Sequence, residues 1–94
     1  MAMLGNFLKQ PIEVVDYDID YGDWLTDGDN VESATVTVTP ADQLAVDSVF
    51  INDPRIKIWV SAGTTGTTYK LEVTTTTADG RVKQDEFRVR VKDI

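Results

Sequence analysis

The sequence predicts an all-β domain: an immunoglobulin-like antiparallel β-sandwich of six or seven strands, with an extended or partly helical N-terminal arm. Three observations predict it. Apolar residues recur at every second position through most of the chain after Glu13, the period of strands with one buried face. Turn-forming residues break these runs about every eight to twelve residues, and no helical period competes with them. The segment GTTYKLEV sets Gly66 three residues before Tyr69 at the start of the penultimate strand, where immunoglobulin-like sandwiches carry a tyrosine whose hydroxyl bonds back to the backbone.

The elements follow in order. Residues 1–10 lack turn signals and any period, and Pro11 ends them; they are read as an arm, with residues 11–94 as the sandwich. Leu4, Phe7 and Leu8 can form the apolar face of a single helical turn. Such residues are costly to leave in water, so the arm either frays or docks on a neighbouring subunit. Val15, Tyr17, Ile19 and Tyr21 then alternate with Asp16, Asp18 and Asp20, which reads as a strand. GDWLTDGDN is a turn-rich break. Glu32 to Thr39 is a strand with Ala34, Val36 and Val38 inward, stopped by Pro40. Leu44 to Ile51 is apolar on both parities and reads as a core strand. After the turn NDPR, Arg55 to Ser61 puts Ile56, Ile58 and Val60 on one face and Lys57 and Trp59 on the other. Tyr69 to Thr77 is joined by a hairpin containing Asp79 and Gly80 to a last strand near Val82 to Lys92. Phe87, Val89 and Val91 face inward there, and Val82, out of phase with them, suggests a bulge.

Ninety-four residues make one domain with one thin core. There is no cysteine and no histidine, which excludes disulfides and thiolate metal sites and removes the commonest general base. No carboxylates, lysines or tyrosines are paired at an evident catalytic spacing, which argues against an enzyme and against a cofactor. The net charge of −7 is uneven: residues 1–50 hold ten acids against Lys9 alone, while residues 51–94 hold eight bases against six acids. The acidic half would repel a nucleic-acid backbone. No segment approaches the roughly 20 apolar residues of a membrane span, and the start lacks the features of a signal peptide, so cytoplasmic synthesis is the default expectation.

The acidic stretch DYDIDYGDWLTDGDN suggests calcium, but its register fails. Counting from Asp16, the sixth position is Tyr21 and the twelfth Asp27, where an EF-hand needs glycine and glutamate. Asp16, Asp18 and Asp20 would line a strand about 7 Å apart rather than converge. Asp23, Asp27 and Asp29 lie in a loop, where capping of their own backbone is the main reading and metal the alternative. Arg88, Arg90 and Lys92 form a basic stripe; if the first strand lies beside the last, the acidic stripe would answer it on one outer face.

With these motifs in place, DYDIDYGDWLTDGDNVESATVTV together with SAGTTGTTYKLEVTTTTADGRVKQDEFRVRVKD resembles a family of small tailed-bacteriophage virion proteins, often labelled phage fiber-tail adaptor. The shared features are the acidic strand, the D-W-L-x-D-G-D loop, the G-T-x-G-T-x-Y corner and the final D-G-R hairpin ending in alternating basic residues. The resemblance implies a non-enzymatic virion component at the tail or head-tail junction that helps attach tail fibers. It would be present in several symmetric copies against other tail, connector or fiber proteins, with no nucleic acid, membrane or small-molecule substrate. Capsid decoration and a host-surface-binding module are the alternatives. Candidate contact residues are Leu4, Phe7 and Leu8 on the arm, Trp24 and Leu25 in the loop, and Trp59 on an outward parity; Gly66, Tyr69, Asp79 and Gly80 are the structural ones. An arm of this kind could be deleted without unfolding the domain.

Overall fold

The structure, a computed structural model, describes residues 2–41 and 43–93, with side chains from residue 5 onward. The described residues form seven strands: β1 (Ala2–Lys9), β2 (Val15–Asp20), β3 (Val31–Thr39), β4 (Ala45–Asn52), β5 (Arg55–Ser61), β6 (Thr68–Thr77) and β7 (Val82–Val91). They form a four-stranded sheet in the order β1-β7-β6-β3 and a three-stranded sheet in the order β2-β5-β4. In an immunoglobulin sandwich the second, fifth and fourth strands share one sheet and the third, sixth and seventh the other, as they do here. The first strand differs: it runs parallel to β7 in the larger sheet.

The inner faces follow from alternation. Ile56, Ile58 and Val60 of β5, Tyr69, Leu71 and Val73 of β6, and Phe87, Val89 and Val91 of β7 are all buried and form one cluster. β5, β6 and β7 are the strands with a hydrogen-bonded neighbour on both sides, so their inward side chains are covered most completely. β4 is instead an edge strand of the smaller sheet. Of the apolar residues that suggested a core position, Phe50 points outward and is exposed. The β4–β5 hairpin turns through a cis Asp53–Pro54 bond, and Asp53 Oδ1 accepts the Val31 N–H at 2.8 Å.

The bulge expected near Val82 is absent. β6 and β7 keep one register from Thr68↔Arg90 to Thr76↔Val82. Val82 simply faces outward, and the inward position that broke the apolar pattern belongs to Asp85, fully buried, with Lys83 Nζ 3.2 Å from its Oδ1. The Thr74 to Thr77 run likewise splits by parity: Thr75 and Thr77 are buried, and Thr75 Oγ1 shares a 2.8 Å hydrogen bond with the Tyr21 hydroxyl.

The tyrosine corner is in place. The buried Tyr69 hydroxyl accepts the Thr64 N–H at 2.9 Å. The loop before it is laced to the end of β7 by Gly66 N–H to Val91 O at 2.7 Å and Val91 N–H to Thr67 O at 3.0 Å. Beside it, Gly63 has φ +107°, and an added Cβ would lie 2.7 Å from Val91 Cγ2; neither the backbone nor the space admits a side chain there.

Residues 2–9 take the extended form, as β1, and no helical turn forms over Leu4, Phe7 and Leu8. The register slips by one residue between Met3 and Asn6, a bulge after which Phe7 and Lys9 face inward opposite Val89 and Val91. Lys9 is 1% exposed. Its ammonium donates to the carbonyl oxygens of Gln10, Pro11 and Ala62 at 2.5 to 3.3 Å. Burial lowers the Lys9 pKa, with Glu13 opposing; the three carbonyls keep the buried cation hydrogen-bonded. The segment is therefore part of the sheet, and its deletion would remove an edge strand together with this clamp.

Two outcomes are expected in urea unfolding. Lys9→Met, which keeps the apolar stem and removes the ammonium, lowers stability by about 1 to 3 kcal/mol. Tyr69→Phe leaves the Thr64 N–H without its acceptor and costs about 1 to 2 kcal/mol; an unchanged midpoint in either variant would refute the corresponding role.

Candidate functional site

Three surfaces carry the chemistry, and the candidate contact residues are divided among them. The first is the mouth of the sandwich between the β1 and β2 edges. Phe7 lies 4.8 Å from Tyr17 and 5.9 Å from Phe87 between ring centroids, and Tyr17 lies 5.1 Å from Phe87. These rings and Ile19, with Asp16 and Asp18, line a groove of about 270 Å³. Phe7 remains 42% exposed although it faces inward, because no strand among the described residues covers this side. Leu8 points the other way, onto the outer face of the larger sheet, and is also exposed; the Leu4 side chain lies outside the described residues. Ile12 and Val14, in the segment leading to β2, are exposed as well.

The second surface is the outer face of β2-β5-β4. Pairing sets Asp16 beside Trp59, Asp18 beside Lys57 and Asp20 beside Arg55, with Ser48, Phe50 and Asn52 on the far side of those β5 residues. The acidic stripe is thus answered by β5, not by Arg88, Arg90 and Lys92. Lys57 Nζ sits 3.2 Å from Asp16 and 3.9 Å from Asp18, and Arg55 Nε 3.4 Å from Asp20. The expected neighbour was wrong because β1, not β2, lies beside β7, so the two stripes face outward from opposite sheets. The Gly22 N–H and Arg55 hold the Asp20 carboxyl below its ordinary pKa, against a smaller desolvation effect. Trp59, 36% exposed, stands in this charged face, with Lys57 Nζ 5.9 Å from its ring centroid.

The third surface is the loop Tyr21 to Asn30 at the β6–β7 hairpin end. Trp24 is half-buried, with the Arg81 guanidinium 4.1 Å and Lys83 Nζ 5.8 Å from its ring centroid, a cation–π arrangement. Arg81 Nη1 also donates to Trp24 O at 3.0 Å. Leu25 is half-buried against the core. Asp29 caps both its own loop and the hairpin: Oδ1 accepts the Asn30 N–H at 2.9 Å and the Asp79 N–H at 3.0 Å. Gly80 completes the turn with its N–H on Thr77 O at 3.0 Å. Among the described residues no three acids are grouped so as to hold a metal ion.

Two members of the groove, Tyr17 and Phe87, were legible only as inward-facing strand residues. Nothing in the spacing tells that the strand covering Tyr17 in a typical sandwich is placed elsewhere. Trp24 lies far in sequence from the cations that clamp it, so its partners were equally hidden.

Burial raises the Asp29 carboxyl, but the Thr77 hydroxyl, the Asp79 and Asn30 N–H groups and the Arg81 charge outweigh it, and its pKa falls below the ordinary value. A lowered carboxyl stabilises the fold above its unfolded value, about 3.9, and that stabilisation is lost as pH falls through the folded value. Asp29→Asn is expected to be less stable than the native chain at pH 6, with the gap closing progressively below about pH 4. Urea midpoints across pH check it: a gap that stays constant with pH would show that the carboxylate charge is not what matters.

No curated protein matches the chain. A protein-family model does: Gp77, described as podophage GP4 fiber-tail adaptor protein gp77, matches residues 9–90. That span takes in β2 to β6 and β7 as far as Arg90, and with them the acidic strand, the Trp24 loop, the tyrosine corner and the final hairpin. With nearly the whole sandwich matched, the chain belongs to the Gp77 family of podophage fiber-tail adaptor proteins.

Proposed function

We propose that the chain is a non-catalytic virion component that links tail and fiber proteins of a phage particle at the tail or head-tail junction, in several symmetric copies. The family match over residues 9–90 carries this reading, and the surface chemistry supports it. Exposed apolar residues are distributed over separate sides: Phe7 at the sandwich mouth, Ile12 in the segment leading to β2, Leu8 on the larger sheet, Phe50 and Trp59 on the smaller one. A small rigid body with contact residues on different sides suits a protein that must touch more than one neighbour. The excess of acids and the lack of histidine and cysteine favour protein partners over nucleic acid and over acid–base chemistry. Virion residence follows from the same reading, after synthesis in the host cytoplasm.

The arm contacts proposed for Phe7 and Leu8 need substitution rather than deletion, since β1 is built into the sheet. Leu8→Glu changes an exposed side chain and should leave the unfolding free energy within about 0.5 kcal/mol of native, while Trp59→Ala, on the central strand, costs about 1 kcal/mol and stays folded. If these faces bind neighbours, incorporation of the variant chain into particles drops severalfold, and cross-links from native particles run to tail or fiber proteins. Cross-links confined to the capsid would favour decoration instead. Absence of the chain from purified particles would end the structural reading.

A further inference from the structure

Among the described residues β2 has one hydrogen-bonded neighbour. Its residues pair with β5 from Val15↔Val60 to Asp20↔Arg55, and in an antiparallel ladder every second residue directs its N–H and C=O away from that neighbour. The strand that would cover this edge in a typical immunoglobulin sandwich is bonded to β7 instead. Directly inside the open edge lies the groove of Phe7, Tyr17, Ile19 and Phe87. An edge of free backbone groups above an apolar groove is the arrangement that receives an added strand: main-chain bonds supply affinity, and alternate side chains enter the groove.

The charges narrow the occupant. Antiparallel pairing of β2 with β2 of a second copy would set carboxylates beside carboxylates, which is destabilising. A strand bearing cations meets no such barrier. Asp16, Asp18 and Asp20 are three carboxylates shared between Lys57 and Arg55, and Asp18, the farthest from its cation at 3.9 Å, has a side chain 52% exposed.

Resting on the adaptor reading, we propose that the β2 edge takes up an extended segment of a partner virion protein by strand addition. The segment carries apolar side chains on one parity, seated against Phe7, Tyr17 and Phe87, and Lys or Arg on the other, beside Asp16 and Asp18.

The test titrates the isotope-labelled full chain with a nine-residue synthetic peptide that alternates Lys or Arg with Val or Phe, and with its counterpart in which Glu replaces each base. The basic peptide is expected to shift the β2 amides and to slow exchange of those facing away from β5, and the Glu peptide to bind at least tenfold more weakly. Asp18→Lys should weaken the basic peptide at least tenfold, while Asp47→Lys, an equal charge change at an exposed site on β4, should leave it within twofold. Equal binding of both peptides, no binding, shifts centred away from β2, equal loss in both variants, or a concentration-dependent dimer through β2 would each overturn the proposal. In particles, Asp18→Lys should be incorporated poorly. Normal incorporation of that variant overturns strand addition and leaves the adaptor reading standing; absence of the native chain from particles removes the adaptor reading and the partner assignment with it.

Discussion

The Lys9 ammonium lies buried at the end of β1, donating to carbonyls of Gln10, Pro11 and Ala62. Gln10 and Pro11 belong to the turn that carries the chain from one sheet to the other, and Ala62 to the loop leaving β5. One side chain therefore ties together the three segments that must meet if β1 is to bond β7 while β2 bonds β5. Charged donors make stronger hydrogen bonds than neutral ones, and carbonyls left bare in the interior are costly. The placement of β1 then decides the rest of that side: the larger sheet gains a fourth strand, the smaller sheet keeps an open edge, and Phe7 is brought onto Tyr17 and Phe87.

The opposite end is organised by polar groups in inward positions. Asp29 binds the hairpin turn, Thr75 binds the Tyr21 hydroxyl, and Asp85 lies buried beside Lys83. Buried polar groups specify one arrangement where apolar packing would tolerate several. The loop carrying Trp24 is held against the hairpin by these contacts and by Arg81, so its aromatic ring is as much a part of the fold as of the surface. The exposed ion pairs of the smaller sheet act differently. Each is worth about 0 to 1 kcal/mol, too little to hold the fold, but enough in a row to disfavour a slipped register between β2 and β5.

Much of the fold was legible because period two is a strong signal where one face is buried. β2, β3, β5, β6 and β7 all follow it, and Tyr69 marks the corner by its position after Gly66. β1 was not legible: AMLGNFLK contains a bulge that resets its parity, and its partner lies some eighty residues away in sequence. The same long-range pairing misdirected the acidic stripe, since its neighbour depends on which strand follows the arm into which sheet. β4 was misread as a core strand because Val49 and Ile51 alternate with an outward Phe50, and an exposed aromatic looks, in sequence, like a second inward parity. Asp85 imitated a bulge because a buried carboxylate in an otherwise apolar run looks, in one dimension, like a change of face.

The candidate site was harder to read than the fold for a related reason. A docking edge is defined by a strand that is missing beside it, and a sequence records only the strands that are present. The aspartates of β2 show both sides of this. Charges along an edge normally keep identical chains from pairing, and here they would do so while the protein is free and concentrated. The same charges leave the edge open to a basic strand, because attraction to unlike charge and repulsion of like charge come from one arrangement. Protection against self-assembly and selection of a partner therefore need no separate devices on this surface.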